Sequence, residues 1–540
     1  MRLNVFLWSL FVVHFRGSSS TRRPHIVFIL ADDLGWSDVG FHGSNDFRTP
    51  NIDALAYSGV ILNSHYSENL CSPSRAALLT GKYPIRNGMQ HNVIVDSAPW
   101  GLPLEEKLLP EHLNGLGYVC HALGKWHLGF FKKAYTPTYR GFASHYGFWN
   151  SHQDYFSHQV QASFLPFEGL DMRDNMTVDR MSTGRYTTRI LTERAEKLIA
   201  AHNASSPMFL YFAHLATHAG NFDDPLQAPQ ETIDMFSHIR PLEKRIYAAM
   251  VWELDQSIGR LVAALKRQNM LEDSIIVFVS DNGAPTTGLY RNRGNNWPFK
   301  GEKNTPWEGG LRTVAVLWSS SLAFPRRVMN HLMHLTDWMP TLYAAAGGNV
   351  EDLRRIDGVN HWDFFTRIGR KQPRHEILHN IDDIYQYSAM RIGPYKYVNG
   401  TTFLGCLDGW FGTDDSKSRN YNITDVLQST VLSSLVRLSE TEVLRLRETS
   451  RVRCPSAEKN NARPCEPTKE PCLFNIQKDP CETNNIYGKS KKLIEVFEKR
   501  LAEFRAEQVP PGNKKTEKAA DPKYYNGTWT YWKDLEMHDS

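Results

Sequence analysis

Long apolar runs and an excess of charge of either sign are both scarce in this chain of 540 residues. After residue 20 there is no stretch of about eighteen apolar residues, the length that a membrane-spanning helix needs. Lys and Arg number 62 against 58 Asp and Glu, so the formal net charge is only +4, and no segment is densely basic. We therefore expect no transmembrane segment and no nucleic acid partner.

Cysteine is also scarce, with seven residues in the whole chain. If Cys71 is set apart, for reasons given below, the other cysteines could form up to three disulfides, in about fifteen possible pairings. They are Cys120, Cys406, Cys454, Cys465, Cys472 and Cys481. Because all but Cys120 follow residue 400, we expect disulfides to stabilise the C-terminal part of the chain.

Residues 1–20 have the layout of a secretory signal peptide. Arg2 provides the positive start, Val5–Val13 form a short apolar stretch, and the small residues Gly17–Ser20 follow as a cleavage region. Asn-x-Ser/Thr sequons agree with passage through the secretory pathway. They lie at Asn175, Asn203, Asn399, Asn422 and Asn526. We predict a lysosomal or extracellular protein.

The first part of the chain alternates short apolar runs with helical patterns. The strand candidates are His25–Leu30, Tyr118–Leu123, Met208–Phe212 and Ser274–Val279, and helices are predicted over 187–201 and 243–268. Strands that alternate with helices are typical of a mostly parallel α/β sheet flanked by helices.

A chain of 540 residues is too long for one core, so two domains are expected. The composition turns polar and basic at 367–374, and we place there a linker between a catalytic domain (21–366) and a smaller C-terminal domain (375–540). In the C-terminal domain we predict strands at Ile377–Asn380 and over Tyr387–Val398, helices over 430–448 and 489–507, and a surface loop over 451–472. These elements indicate an α+β domain with a short antiparallel sheet.

Polar side chains follow each of the central strand candidates. In chain order they are Asp32 and Asp33, then Lys125 and His127, then His218, then Asp281 and Asn282. Active sites of parallel α/β sheets lie beyond the C-terminal ends of the strands. We therefore expect these side chains to meet.

The acidic pairs in this set offer only oxygen ligands. Asp32, Asp33, Asp281 and Asn282 therefore suit a hard divalent cation, Ca²⁺ or Mg²⁺, rather than zinc. A single Asp-Asp or Asp-Asn-Gly sequence is more often a turn. Two such pairs, each directly after an apolar strand, favour a metal site.

The segment Cys71–Gly81 (CSPSRAALLTG) predicts a helix that begins at a cysteine. Pro73 suits the first turn, Ala76–Leu79 are good helix formers, and Gly81 is a plausible end. Cys71 would then lie at the positive end of the helix dipole, beside free backbone N–H groups that attract anions. Arg75 lies one turn later on the same face, so the two side chains should meet.

This segment resembles the signature of the sulfatase family, Cys-x-Pro-Ser-Arg followed by Leu-Thr-Gly. The resemblance implies an alkaline-phosphatase-like fold, with a large mixed, mostly parallel sheet flanked by helices and a smaller C-terminal domain. It also implies that a formylglycine-generating enzyme oxidises Cys71 to formylglycine, whose hydrated aldehyde is the nucleophile. The ion would then be calcium, held by both acidic pairs together with an oxygen of the modified Cys71.

Two further segments resemble sulfatase motifs, Gly124–Gly129 (GKWHLG) and Trp307–Gly310 (WEGG). Of the two nearby lysines, Lys303 rather than Lys300 has the family's spacing to the second motif. The resemblance implies these roles: stabilisation of sulfuryl charge by Lys125 and Lys303, orientation of the hydrate by Arg75, hydrogen bonding and base catalysis by His127, and protonation of the leaving group by His218 with Lys303 beside it.

Within the family, local features are most similar to arylsulfatase B, the N-acetylgalactosamine-4-sulfatase type. They lie at 88–91, 102–110 and 295–298. The implied substrate is the 4-sulfate of N-acetylgalactosamine at the chain ends of dermatan or chondroitin sulfate. The segment Ala219–Pro225, directly after His218, departs from that subgroup, so another sugar sulfate or an aryl sulfate stays open as the substrate.

Three other functions compete with this interpretation. A thiolate phosphatase needs a longer spacing between its Cys and Arg than Cys71 and Arg75 have. An alkaline-phosphatase-like phosphoesterase would use Ser or Thr as its nucleophile. A catalytically silent protein that binds sulfated glycans would have lost some of the site residues, and all of those named above are present.

Overall fold

The computed structural model describes residues 22–435, 437–454 and 463–535. Its strands are β1 His25–Ala31, β2 Val60–Leu62, β3 His65–Tyr66, β4 Val119–Lys125, β5 Ser144–Phe148, β6 Gln159–Gln161, β7 Glu168–Leu170, β8 Arg173–Asp174, β9 Thr177–Val178, β10 Met208–Ala213, β11 Ser274–Ser280, β12 Ala315–Ser319, β13 Arg327–Met329, β14 Met333–His334, β15 Glu376–Asp382, β16 Tyr387–Ile392, β17 Tyr395–Asn399 and β18 Cys472–Asn475. Its helices are α1 Pro50–Ser58, α2 Cys71–Thr80, α3 Leu109–Asn114, α4 Thr187–Ala201, α5 Gln230–Asp234, α6 Leu242–Arg267, α7 Glu308–Leu311, α8 Trp338–Ala345, α9 Trp362–Thr366, α10 Ile423–Leu427, α11 Thr430–Ser434, α12 Glu440–Ser450 and α13 Lys491–Ala506.

A large mixed sheet of ten strands forms the centre of the molecule, in the order β13-β2-β12-β11-β1-β10-β4-β5-β8-β9. The middle strands β11, β1, β10, β4 and β5 are all parallel. Antiparallel strands β12 and β8 flank them. Each of the four predicted central strands occurs, and the predicted mixed, mostly parallel sheet is confirmed.

Strands β1, β10 and β11 are apolar along nearly their whole length, as expected where helices cover both faces of the sheet. Alternate residues of β1 point to opposite faces. Val27 and Ile29 join a core with α1, α4 and α6, whereas Ile26, Phe28 and Leu30 join a core with α2, α3 and α8. The predicted helices over 187–201 and 243–268 are confirmed as α4 and α6.

A second sheet lies in the C-terminal part of the chain. Strands β15, β16, β17 and β18 form an antiparallel sheet, and α13 packs against it through Phe497, Leu501 and Phe504. The segment predicted over Tyr387–Val398 is a hairpin of β16 and β17, because the chain turns at Gly393, which has a φ of +54°. The small antiparallel sheet and the helix predicted over 489–507 are confirmed.

The single helix predicted over 430–448 is wrong. The segment forms two helices, α11 and α12, and Ser439 starts the second by accepting a hydrogen bond from the Glu442 backbone N–H. Glu442 in turn accepts from the Ser439 backbone N–H, so this capping box begins α12 as a separate helix. Helices α10, α11 and α12 pack on the side of the large sheet that carries α1 and α6.

Two disulfides join cysteines after residue 400, as expected. They link Cys454 to Cys481 and Cys465 to Cys472. Cys120 is a buried free thiol and Cys406 an exposed one, so the described residues contain two disulfides where up to three were possible. The described residues of the loop predicted over 451–472 contain no helix or strand before β18.

The other sequence predictions concern the ends of the chain and its division. The predicted signal peptide over 1–20 lies outside the described residues. Among the residues that are described, no helix has the length and apolar character that a membrane span requires. Residues 367–374 connect α9 to β15, and the division into two domains at this point stays a prediction.

Candidate active site

The C-terminal ends of four parallel strands bring polar side chains to one edge of the large sheet. Asp32 and Asp33 follow β1, Lys125 ends β4, His218 lies beyond β10, and Asp281 and Asn282 follow β11. The strands are in parallel register, with Leu30 opposite both Ala213 and Val279, so their ends lie side by side. The cluster therefore follows from the sheet topology.

Helix α2 points its N-terminus at this cluster and begins with Cys71. The Cys71 side chain is buried, with 1% of its surface exposed. Its Sγ atom lies 3.5 Å from Asp32 Oδ1 and 4.0 Å from Asp33 Oδ1. Gly81 ends the helix in the left-handed conformation at a φ of +67°.

Three buried cations face the carboxylates. Arg75 Nη2 lies 2.9 Å from Asp281 Oδ2 and 3.5 Å from Asp32 Oδ2. Lys125 Nζ lies 2.6 Å from Asp32 Oδ2. Lys303 Nζ lies 2.7 Å from Asp33 Oδ2. Each cation thus pairs with a carboxylate, and Asp32 pairs with both Arg75 and Lys125.

The alternative lysine of the same segment lies elsewhere. Lys300 Nζ lies 3.6 Å from the centre of the Trp307 ring, a cation–π contact. Burial lowers the pKa of Lys300, whereas Asp33 holds the pKa of Lys303 above its ordinary value against the opposing effect of burial. Of the two, Lys303 is the one that joins the carboxylate cluster.

Both predicted catalytic histidines are buried at the site and neutral. Burial and then Lys125 and Arg75 lower the pKa of His127 well below its ordinary value, and burial, Lys303 and Lys125 do the same for the pKa of His218. His127 Nε2 donates to the Ile94 carbonyl at 2.9 Å, which leaves its buried Nδ1 without a partner.

His218 has the opposite tautomer. Its Nδ1 donates to the Ala219 carbonyl at 2.6 Å, so Nε2 faces Asp33 Oδ2 at 3.5 Å. Each imidazole therefore fixes its orientation with one ring nitrogen; the other nitrogen faces Asp33 in His218 and is unpaired in His127.

The side chains at the site fit a divalent cation. Carboxylate oxygens of Asp32 and Asp33, the Sγ atom of Cys71 and a ring nitrogen of His218 all lie within 4.8 Å of one another. Burial raises the pKa values of Asp33 and Asp281. Repulsion from a neighbouring carboxylate raises them further, from Asp281 in the first case and from Asp32 in the second. The buried Oδ1 of Asn282 has no hydrogen-bond partner. A cation would relieve both the repulsion and the unpaired oxygen.

Several residues at the site belong to no motif found in the sequence. Asn292 Nδ2 donates to the Asp33 carbonyl at 2.9 Å and to the Thr217 carbonyl at 3.0 Å, and so ties together two loops of the site. The ring of His152 stacks on that of His218, with 6.1 Å between centroids. Nothing in local spacing pointed to either residue, because both are brought in by loops distant in sequence.

Glu308, which the sequence analysis named only as part of the Trp307–Gly310 motif, forms a buried ion pair. Its Oε1 lies 3.0 Å from Lys396 Nζ on β17, and Lys396 also lies 2.8 Å from Glu482 Oε1. Tyr66 donates its hydroxyl to Glu308 Oε2 at 2.7 Å. The segment that carries Lys303 is thereby fastened to the small C-terminal sheet.

The mixed sheet and the charged cluster at its edge are those of the alkaline-phosphatase-like fold. The family model described as Sulfatase matches residues 24–348. The chain therefore belongs to the sulfatase family, whose members hydrolyse sulfate esters and generally use a divalent metal and formylglycine. The family resemblance seen in the sequence is confirmed.

Individual relatives support the same family. The chain is 35% identical to arylsulfatase J of Mus musculus over 528 residues, which cover 96% of this chain and 81% of that protein. It is 33% identical to human N-acetylgalactosamine-6-sulfatase, over 64% of this chain and 66% of that one. A solved structure, Ps i-CgsB, superimposes with a TM-score of 0.71 at 28% identity and covers 91% of this chain and 94% of its own. The arylsulfatase B type of specificity stays a prediction.

Proposed function

We propose that this sulfatase uses formylglycine formed from Cys71 and a calcium ion to hydrolyse the sulfate ester of an N-acetylgalactosamine residue in a glycosaminoglycan. The observation that carries the proposal is the position of Cys71. It begins α2, and its Sγ lies within 4.0 Å of Asp32 and Asp33, each of which pairs with a buried lysine. In the modified enzyme an oxygen of residue 71 would take the place of Sγ.

Five residues would hold the ion: Asp32, Asp33, Asp281, Asn282 and, through an oxygen of its modified side chain, residue 71. The ion would supply a positive charge to the sulfuryl oxygens in the transition state. Arg75 bonds two of the carboxylates, Asp32 and Asp281, and keeps their oxygens turned into the cluster. Its rigid, planar guanidinium suits this positioning role.

Negative charge on the sulfuryl group is stabilised by side chains fixed before substrate arrives. Lys125 and Lys303 are held in place by their carboxylate partners, and the N-terminus of α2 adds backbone N–H groups. Donors that are already oriented in a buried site need no rearrangement during the reaction, which makes them effective.

Proton transfer follows from the tautomers of the two histidines. Formylglycine, when hydrated, supplies two hydroxyls on one carbon, one to attack sulfur and one whose later loss of a proton expels sulfate. The unpaired Nδ1 of His127 accepts a proton from residue 71. The next residue, Ser72, donates its hydroxyl to the His127 carbonyl at 3.0 Å and so holds His127 beside the start of α2. The leaving oxygen needs a proton, for which His218 with Lys303 beside it is the proposed source; because His218 uses its only N–H on the Ala219 carbonyl, its Nε2 has to take up a proton before it can deliver one.

The choice of a sugar sulfate rests on similarity. N-acetylgalactosamine-6-sulfatases are among the relatives, and Ps i-CgsB has been solved in complex with k-i-k-neocarrahexaose. The 4-sulfate is favoured by the local resemblance to arylsulfatase B, and another sugar sulfate or an aryl sulfate is the alternative. All of the predicted glycosylation asparagines in the chain are exposed, which supports a lysosomal or extracellular glycoprotein.

The mass of residue 71 tests the nucleophile directly. Trypsin releases the peptide Thr49–Arg75 from protein secreted by a eukaryotic cell, and we expect residue 71 to have the mass of formylglycine. Unmodified cysteine at this position, in cells with an active formylglycine-generating enzyme, would contradict the proposal and favour a binding protein.

Replacement of the nucleophile should abolish turnover without unfolding the chain. Serine has a single hydroxyl and cannot expel sulfate as a hydrate does, so Cys71→Ser should release no sulfate while its melting temperature stays close to that of the parent. Cys406→Ser, at the exposed free thiol, is the matched control and should keep full activity. Turnover by Cys71→Ser at the parental rate would disprove the mechanism.

Calcium binding is measurable without activity. After chelation and dialysis, added calcium should raise the melting temperature, because an ion at a hundredfold excess over its Kd stabilises the folded state by about 2.7 kcal/mol. Asp281→Asn should remove most of this response, whereas Asp234→Asn, an exposed carboxylate of α5, should keep it. A melting temperature that ignores calcium would count against the site.

A further inference from the structure

An exposed aromatic residue lies in the loop that follows His218. Phe222 leaves 49% of its surface exposed. Its ring still packs against that of Tyr290, with 4.6 Å between centroids at a tilt of 31°. The centroid of the His152 ring lies 6.5 Å from that of the Phe222 ring. Single exposed apolar side chains are common at protein surfaces, so the bearing of Phe222 on function comes from its position beside the site.

The aromatic pair is continuous with the sulfate site. The ring of Tyr290 lies 5.4 Å from that of His218, centroid to centroid. His218 Nε2 lies 3.5 Å from Asp33, whose Oδ1 lies 4.0 Å from Cys71 Sγ. The two rings therefore lie next to the position where a substrate with its sulfur at residue 71 and its leaving oxygen at His218 would place its next atoms.

Hydrogen bonds hold the aromatic pair in place from both sides. The Tyr290 hydroxyl lies 3.1 Å from Ser163 Oγ, and Ser163 donates its backbone N–H to Asp96 at 2.9 Å. On the other side, Asn221 accepts from the Gln161 N–H at 3.1 Å, so the residue before Phe222 is tied to β6. A surface fixed before binding loses little conformational entropy when a ligand arrives.

We propose that Phe222 and Tyr290 form a platform on which the apolar face of the substrate's pyranose ring packs, and that this platform selects sugar sulfates. The inference rests on the function proposed above and adds the residues that recognise the sugar. A pyranose ring has one face of C–H groups, which packs on aromatic rings while the hydroxyls remain hydrated. Phe222 lies in the segment Ala219–Pro225, where the sequence departs from the arylsulfatase B subgroup, so the platform belongs to this chain's own specificity.

The test separates sugar binding from sulfate binding. Phe222→Ala should raise KM for a sulfated N-acetylgalactosamine oligosaccharide by about fivefold, with kcat little changed, since the ring contacts substrate and transition state alike. The inhibition constant of inorganic sulfate, which reaches only the charged cluster, should change by less than about twofold. Phe222→Trp should keep the KM close to that of the parent enzyme, because tryptophan also provides an aromatic face.

The matched control is Phe324→Ala, which removes an equally exposed ring (51% exposed) outside the site and should leave KM unchanged. If Phe222→Ala keeps the parental KM, or weakens inorganic sulfate as much as it weakens the sugar, the platform is disproved. If the parent enzyme does not release sulfate from any sulfated sugar, the proposed function itself is disproved. An aryl sulfate and an aryl phosphate, measured in parallel, then show which ester the enzyme hydrolyses.

Discussion

Lys396 shows how one buried residue can join two parts of this molecule. Its ammonium group is fully buried between Glu308, at the start of α7, and Glu482, directly after Cys481. Burial raises the pKa of Glu482 to about 7, whereas Lys396 and Arg312 hold the pKa of Glu308 below its ordinary value in spite of burial. The lysine is therefore the charge that allows Glu308 to stay ionised in the interior.

Removal of that charge should destabilise the fold. Lys396→Met leaves Glu308 buried without its closest cation, and breaking a buried ion pair from one side costs about 3–5 kcal/mol. We expect this loss in urea unfolding, together with a lower melting temperature. Lys523→Met, at an exposed lysine paired with Asp521, is the control and should have no measurable effect. Equal stability of the two variants would show that Lys396 has no such role.

Close backbone contact between two loops sets the geometry of the site at the level of elements. The loop after β11 contains Gly283, and a Cβ atom there would lie 1.8 Å from the carbonyl oxygen of Gly309 in α7. A Cβ at Gly309 would likewise lie 2.3 Å from the Gly301 carbonyl oxygen. Glycine at these positions lets the loop of Asp281 approach the loop of Lys303.

A methyl group at Gly283 should therefore force the two loops apart. We expect Gly283→Ala to lower stability by about 1–3 kcal/mol, as overpacking does, and to weaken the calcium-dependent rise in melting temperature. Gly115→Ala is the control, since Gly115 has a helical φ of −61° and its nearest neighbour would lie 3.3 Å from the new Cβ. A Gly283→Ala protein with parental stability and calcium response would refute the argument.

The elements that local sequence predicted correctly are those whose pattern depends on residues a few positions apart. Strands β1, β10 and β11 are nearly unbroken apolar runs, and α4 and α6 carry a regular apolar face. The region 430–448 misled because its apolar spacing continues across the break between α11 and α12. Ser439 and Glu442 set the start of α12 after that break, and α11 packs against α1 and α6.

At the scale of the whole molecule, buried histidines dominate the response to acid. Burial is the largest cause that lowers their pKa values, to about 4 for His25 and His145 and to about 3 for His42, His65, His214 and His334. In the unfolded chain each would titrate near 6.5. Below that pH the unfolded state binds more protons, so stability falls as the pH falls from about 6.5 to about 4.

Buried carboxyl groups act in the opposite direction. Burial raises the pKa of Asp53 to about 6, of Asp38 to about 7 and of Asp255 to about 8. The folded state holds protons that the unfolded state has lost, so these groups reduce stability as the pH rises towards about 8. Above about 6.5 the histidines no longer oppose them. The free energy of unfolding should therefore be greatest near pH 6.5.

Melting temperatures between pH 4.5 and 8.5 test this profile. We expect a maximum near pH 6.5 and a decline on both sides. His65→Gln keeps an acceptor for the Trp338 Nε1–H, which donates to His65 at 3.0 Å, but removes one titrating group. It should flatten the acid limb by about 1.4 kcal/mol per pH unit. A melting temperature that rises steadily towards pH 4.5 would contradict the sign of the histidine effect.

The sequence by itself determined the central strands, the helix that begins at Cys71 and the family, because each depends on neighbouring residues or on a short motif. It also placed the polar residues at strand ends, where parallel topology brings them together. Only the tertiary structure decided which cation meets which carboxylate: Lys303 reaches Asp33 across 270 positions of the chain. The contact of Phe222 with Tyr290 also depends on tertiary structure, because the two residues lie in different loops and no local sequence pattern relates positions so far apart.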